Sequence, residues 1–105
     1  MDEMFGIKRY ATRGVADEIG LDIQMALWAL IDKRKKTGKI DYLQIFELSI
    51  ECQNRKQLQK IIHRQEVPPM RDEYLINVIS EPIATKIWVI DSDGQYCTML
   101  FPSEY

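Results

Sequence analysis

One segment of this sequence, residues 21–36, has the hydrophobic period of a long α-helix, and strand-like patterns surround it. Its apolar side chains recur at i, i+4, i+7 and i+8 and so share one helix face; they are Ile23, Leu27, Leu30 and Ile31. Acidic residues precede the segment and basic residues end it, the order that the helix dipole favours. A single amphipathic helix has to bury its apolar face against something else, and the remaining sequence offers strands.

Aromatic and β-branched residues predict six strands, of which the first is short and suited to a sheet edge. The predicted ranges are 7–15, 42–50, 58–67, 74–79, 85–90 and 95–101. We expect residues 51–56 to turn the chain between two antiparallel strands. Asp91-Ser92-Asp93-Gly94 predicts the turn of a final hairpin, and that hairpin should lie centrally because both of its faces are apolar.

These elements predict an α+β fold, with one main amphipathic helix packed on a twisted, mainly antiparallel sheet of five or six strands. We expect residues 1–105 to form a single domain. The composition, 46% hydrophobic and 29% charged, is that of an ordinary globular protein and excludes disordered and fibrous classes.

Charge and hydropathy argue against several partner classes. The net charge of −2 gives no general affinity for nucleic acid or for anionic membranes. No apolar run approaches the roughly 20 residues that cross a bilayer, and the acidic N-terminus lacks a signal-peptide pattern. We therefore expect a cytoplasmic protein that neither enters membranes nor takes nucleic acid as its direct ligand.

His63, the one histidine, is the first candidate for acid–base chemistry near neutral pH. On a regular strand, however, Arg64 and Glu66 point to the face opposite His63. Ion pairing of Arg64 with Glu66 or Glu47 would be ordinary sheet decoration. We predict no catalytic residue and no cofactor. The alternative is a small-molecule pocket between helix and sheet, lined by His63 and Arg64.

Metal chemistry finds little support in the sequence. Asp91 to Gly94 has the opening of a calcium loop but lacks the later ligands, so a plain turn is favoured. Cys52 and Cys97 form no CxxC pair and are predicted to be free thiols that pack as small apolar groups. Together with His63 they supply too few ligands for a metal site.

Two surface hypotheses arise from the helix. Leu21, Met25 and Trp28 fall on a second strip beside the core face, which indicates either a wide core contact or coverage by another loop, or else an intermolecular surface. Tryptophan in an apolar patch is typical of binding hot spots, so this strip is the predicted partner-binding site.

The second hypothesis is a basic patch that could face an acidic partner, or nucleic acid in a salt-dependent manner. Stabilisation of the helix end already accounts for its first members. The patch consists of Lys33, Arg34, Lys35, Lys36 and Lys39.

Several motifs together resemble a family of small uncharacterised Firmicutes proteins, domain of unknown function 960, over nearly the whole chain. The motifs are Lys8–Tyr10, Thr12–Gly14, Leu27–Trp28, Leu30–Asp32, Asp41–Leu48, Ile61–Pro68 and Pro102–Tyr105. Proteins of this family are often encoded on phages, plasmids and conjugative elements. The resemblance supplies no activity and no residue roles.

The resemblance implies a non-enzymatic protein-interaction module of a mobile element. One such class inhibits host defence proteins such as CRISPR effector nucleases. A nucleic-acid mimic would be far more acidic than a net charge of −2, so we expect any inhibition to use another surface. The partner and the oligomeric state are not specified by the sequence.

Overall fold

The computed structural model describes residues 3–105, in which six strands form one sheet with its helices packed on a single face. The elements are β1 (Arg9–Ala11), α1 (Arg13–Glu18), α2 (Leu21–Lys35), β2 (Leu43–Gln53), β3 (Lys56–Gln65), β4 (Met70–Ile76), β5 (Thr85–Ser92), β6 (Tyr96–Leu100) and a final 3₁₀ turn (Pro102–Glu104). The spatial order is β1-β6-β5-β2-β3-β4. Only β1 and β6 pair in parallel. The predicted α+β class is confirmed, with a sheet that is mixed.

The first predicted strand is shorter than its predicted range of 7–15, and the last three residues of that range begin a helix. Only Arg9–Ala11 is a strand, and it lies at the sheet edge as expected. Thr12 then caps α1, because its Oγ1 accepts a hydrogen bond from the Val15 amide at 3.2 Å. A helix of six residues is too short to show a period in the sequence.

The β2–β3 hairpin is longer than the sequence indicated. The chain turns within residues 51–56 as expected, but the turn takes only Asn54 and Arg55, because both strands continue up to these two residues. These residues have φ of 50° and 64°, the left-handed conformation that a tight hairpin turn requires. The outer ladder is mostly exposed, which is why its sequence is polar. The predicted antiparallel pairing is confirmed.

The later strands follow the prediction more closely. β4 begins at Met70, directly after the two prolines, and ends before the expected Ile79. The β5–β6 hairpin turns at Asp93 and Gly94, which have φ of 54° and 73°, and β5 has two or more strands on either side. Asp91 accepts hydrogen bonds from the amides of Gly94 and Phe5, so its carboxylate serves the turn and the N-terminal segment.

The core lies between α2 and one face of the sheet. Ile23, Leu27 and Ile31 are fully buried there against alternate strand residues such as Phe46 and Ile61. Leu30, expected on the same face, is only partly buried. Each large side chain buried in this way contributes about 1.5–3 kcal/mol. Neither α1 nor α2 is long and apolar enough to cross a membrane.

Cys97 belongs to the same core, whereas Cys52 is exposed on the β2–β3 hairpin. Burial raises the pKa of the Cys97 thiol to about 11, so this cysteine is an unreactive packing group. The prediction of free thiols holds for both residues. The prediction of apolar packing is wrong for Cys52.

Replacement of Gly20 by alanine should destabilise the fold by about 1–3 kcal/mol, the usual cost of overpacking. Gly20 is the residue that precedes α2, and an added Cβ would overlap the side chain of Ser80. Urea unfolding provides the measurement. Gly6→Ala is the matched control, since its Cβ would meet nothing closer than the Glu3 carbonyl at 3.4 Å; equal stability of the two variants would contradict the close packing at Ser80.

Candidate functional site

His63 lies in the core of the protein. It is 1% exposed and stacks on Phe46 with ring centroids 4.3 Å apart. Burial, helped by the nearby positive charge of Arg34, lowers the pKa of His63 to about 3. The imidazole is therefore neutral at physiological pH. Its Nε2 is 2.6 Å from Gln44 Oε1, and because that oxygen can only accept, Nε2 is the protonated nitrogen.

Arg34 joins His63 in a buried polar network that fastens α2 to the sheet. Its guanidinium donates to Gln44 Oε1 at 3.2 Å, to the His63 carbonyl at 3.1 Å and to Asp72 Oδ2 at 2.8 Å. Gln44 Nε2 in turn donates to Gln65 Oε1 at 2.9 Å. The Arg34 side chain is 2% exposed. One arginine thus binds residues of β2, β3 and β4 at once.

The predicted pocket at His63 and Arg64 is not formed. The two residues point to opposite faces of the sheet, as their alternation in the sequence indicated. Arg64 lies 3.3 Å from Glu47 across the strands, which confirms one of the two expected ion pairs. Neither of the two clefts described below is lined by His63 or Arg64.

The predicted basic patch is divided between core and surface. Arg34 is buried, and Lys35 donates to the Phe5 carbonyl at 2.9 Å and pairs with Glu3. Lys33, Lys36 and Lys39 are exposed. The prediction of a continuous basic surface that includes Arg34 is therefore wrong. Three exposed lysines remain that an acidic partner could contact.

The predicted partner strip is also divided. Leu21 and Met25 are 71% and 60% exposed, whereas Trp28 is 9% exposed. The Arg9 guanidinium covers the Trp28 ring at 5.0 Å from its centroid and pairs with Asp32. Another segment of the chain therefore covers Trp28, as one of the alternatives expected. The prediction that Trp28 belongs to an exposed binding surface is wrong.

The exposed face of α2 is apolar over its first two turns. Leu21, Met25 and Ala29 recur at i, i+4 and i+8, and all three are exposed; we call them the apolar strip. A surface helix ordinarily carries charged or polar residues at such positions. The signal for this strip in the sequence was the second apolar face of the helix.

A fully exposed isoleucine, Ile79, lies in the loop tied to the start of the strip. The Asp22 carboxylate accepts hydrogen bonds from the Ile79 and Ser80 amides at 2.7 and 3.0 Å and from the Ser80 hydroxyl. The Ser80 hydroxyl contributes most to holding the pKa of Asp22 down, at about 2. The prediction of a strand over residues 74–79 missed this loop, because it placed Ile79 in a ladder with a neighbouring strand.

A cleft that the sequence did not indicate lies between the N-terminal segment, α2 and the β5–β6 turn. It has a volume of about 880 Å³. Its lining is polar and charged at several points: Glu3, Gly6, Ile7, Lys8, Arg9, Asp32, Lys35, Gly94, Gln95 and Tyr96. Two of its cations already have partners, since Arg9 pairs with Asp32 and Lys35 with Glu3. A second, smaller cleft of about 190 Å³ lies between β3 and β4.

Among residues 3–105, no group of three or more His, Cys, Asp or Glu side chains is arranged to hold a metal ion.

Comparison with known proteins adds a family and a matching fold. The family model described as "Staphylococcal protein of unknown function (DUF960)" matches residues 8–104. A crystal structure of a protein of unknown function from Enterococcus faecalis is similar with a TM-score of 0.78 and 25% sequence identity, covering 100% of this chain and 98% of that chain. No curated protein matches the chain.

Substitution of Arg34 by methionine should lower the free energy of unfolding by about 2–4 kcal/mol, because it leaves the buried His63 carbonyl without its charged donor. Lys33→Met is the control on the adjacent residue. Lys33 is exposed, with its ammonium 5.0 Å from the Tyr74 ring centroid, a contact worth about 0.5–1 kcal/mol. Equal losses for the two variants, measured in urea, would contradict the role of Arg34.

Proposed function

This chain belongs to the DUF960 family of staphylococcal proteins of unknown function, and on that premise we propose that it is a non-enzymatic protein-interaction module of a phage, plasmid or conjugative element. The proposed binding site is the apolar strip of Leu21, Met25 and Ala29, together with Ile79. Trp28 supports the strip from the core side of α2.

The exposure of Leu21 and Met25 carries the proposal. Burial of a large apolar side chain contributes about 1.5–3 kcal/mol of stability, and a side chain that stays in water does not gain it. A surface of this kind is typical of interaction sites. The i, i+4, i+8 spacing suits an apolar groove on the partner, which would receive the helix as a ridge.

The surroundings of the strip define the partner further. Lys33 and Lys36 are exposed near its C-terminal end, and opposite charge favours fast and specific association. We expect an apolar groove on the partner with acidic residues at one end. Nucleic acid lacks such a groove, so a protein fits the surface better.

A host defence protein, such as a CRISPR effector nuclease, is the proposed partner class. This part of the proposal comes from the association of the family with mobile elements. The net charge of −2 argues against imitation of DNA, so inhibition would proceed by docking of the apolar strip on the effector.

A second candidate function, binding of a small molecule, is supported by the cleft of about 880 Å³ and not by the surroundings of His63. A volume in this range is typical of ligand sites. The ion pairs of Arg9 with Asp32 and of Lys35 with Glu3 weaken the case for a ligand, since a charged ligand would have to displace these partners.

Replacement of both Leu21 and Met25 by serine should lower partner capture from a host lysate at least about tenfold, because two hot-spot contacts worth about 1 kcal/mol or more each are lost. Capture is quantified by mass spectrometry. Where the captured protein is an effector nuclease, a cleavage assay should show inhibition by the wild type and not by the variant.

Ile7→Ser is the matched control, since Ile7 is an almost fully exposed apolar residue that lines the cleft and not the strip. It should leave capture unchanged. Undiminished capture by the Leu21→Ser/Met25→Ser variant would contradict the binding site, and loss of function in Ile7→Ser alone would favour the cleft.

A further inference from the structure

One edge of the sheet is formed by a long and regular strand. β4 comes last in the spatial order, and among residues 3–105 it pairs with β3 alone. Its register is continuous from Met70 to Ile76, so β4 contains neither a bulge nor a proline. Proteins commonly protect an edge by such interruptions or by a very short strand, and at the opposite edge β1 has only 3 residues. β4 therefore presents the longer and more regular edge to an incoming strand.

Hydrogen-bonded pairs recur at every second residue of an antiparallel ladder, so alternate residues of β2 bond to different neighbours. The Asp91 amide donates to the Tyr42 carbonyl at 2.9 Å, directly before β2. Even-numbered residues of β2 therefore bond to β5, and odd-numbered residues bond to β3. The β2–β3 turn agrees, because it sets Gln53 and Lys56 opposite each other, the pair that a tight turn joins by a hydrogen bond.

The same alternation determines which backbone groups of β4 point outward. Even-numbered residues of β3 bond to β2, so its odd-numbered residues bond to β4, where they lie opposite the even-numbered residues of that strand. The residues between these, Arg71, Glu73 and Leu75, direct both their N–H and their C=O groups away from β3. These groups repeat at roughly 7 Å along the edge, and an extended chain is the structure that matches this repeat.

The side chains of Arg71, Glu73 and Leu75 form a row on the sheet face opposite the helices. Asp72, which alternates with them, bonds to Arg34 of α2 and so marks the helical face. All three side chains of the row are exposed. A strand added beside β4 in the antiparallel direction would set its own side chains opposite them. It would best carry an apolar residue opposite Leu75, a basic residue opposite Glu73 and an acidic residue opposite Arg71.

The smaller of the two clefts lies beside this row. It has a volume of about 190 Å³ and is lined by Glu51, Lys60, Glu73, Tyr74 and Leu75. Side-chain pockets next to a free edge give specificity to strand addition. Two carboxylates line this cleft against one ammonium, and Leu75 provides apolar surface for the stem of a lysine or arginine. The basic residue opposite Glu73 is therefore the side chain that suits the cleft.

We propose that the free edge of β4 binds an extended segment of a partner protein, which joins the sheet as an antiparallel strand. Main-chain hydrogen bonds to Arg71, Glu73 and Leu75 hold the segment. The row and the cleft select it by the order of its side chains, which is apolar, basic and acidic at alternate positions in the N-to-C direction.

The ion pairs already present in this row do not close it to a partner. Glu73 lies 2.8 Å from Arg71 and 4.0 Å from Lys60, and the side chains of Arg71 and Glu73 are about half exposed. Exposed ion pairs of this kind contribute little to stability. A segment that carries both charges gives each of the two residues a new partner, so no charge is left unpaired.

This site goes beyond the proposed function and does not depend on it. The apolar strip lies on the outer side of α2, whereas the row lies on the opposite face of the sheet. A test with a defined peptide leaves the partner of the strip out of the experiment. Each proposal can therefore fail without the other.

The test adds a synthetic peptide, Ser-Val-Thr-Lys-Thr-Glu-Ser, to the full chain and follows amide hydrogen exchange. In the free protein the amides of Arg71, Glu73 and Leu75 should exchange fast, whereas those of Asp72 and Tyr74 should be protected by the ladder. Saturation with the peptide should slow exchange at Arg71, Glu73 and Leu75 at least about tenfold, because a strand on the outer edge takes up these amides.

The control peptide, Ser-Val-Thr-Glu-Thr-Lys-Ser, exchanges the two charges and sets like charges opposite Glu73 and Arg71. It should bind at least about tenfold more weakly. The Arg71→Glu/Glu73→Lys double variant should reverse this preference, and circular dichroism verifies its fold. Met25→Ser, on the apolar strip, should leave both affinities unchanged.

Exchange at the outer amides that stays fast at about 1 mM peptide would overturn the proposal, and so would equal affinity for the two peptides. Protection of these amides in the dilute free protein would contradict the free edge. Protection that appears only as the protein is concentrated would show that a second copy occupies the edge instead of a partner segment.

Discussion

The buried guanidinium of Arg34 is the contact on which the arrangement of this protein depends. A charged group out of water costs several kcal/mol unless its hydrogen bonds are satisfied. Arg34 meets this condition only where Gln44, the His63 carbonyl and Asp72 converge. Rotation or sliding of α2 would break these bonds together, so the network sets the orientation of the helix more strictly than apolar contact does.

The orientation of α2 determines which residues can reach a partner. Asp22 fixes the start of the helix to the loop at Ser80, and Arg34 fixes its end. With the helix held in this way, Leu21 and Met25 face outward, and Trp28 turns towards the core beneath Arg9.

The patterns that depend on local periodicity could be predicted from the sequence. The period of α2 and the opposite orientations of His63 and Arg64 follow from spacings of 3.6 and 2 residues, and the final hairpin follows from its Asp-Gly turn. The buried hydrogen-bond network of Arg34 could not be predicted. In the sequence Arg34 resembles a charge at a helix end and Gln44 a surface residue, and only the folded sheet brings the two together. The cover of Trp28 by Arg9 is likewise a contact between distant segments. The exposed Ile79 was missed because an irregular loop has no period.

The ionisation of His63 provides the most direct measurement of whether the Arg34 network is formed and buried in solution. The chain has one histidine, so its imidazole resonances in a ¹⁵N NMR titration need no assignment. Burial lowers the folded pKa of His63 from 6.5 to about 3. The unfolded chain therefore binds a proton first as the pH falls, and stability is lost between these two values. We expect a neutral ring protonated at Nε2, unchanged from pH 8 to pH 5. Titration of the folded protein near pH 6.5 would contradict it.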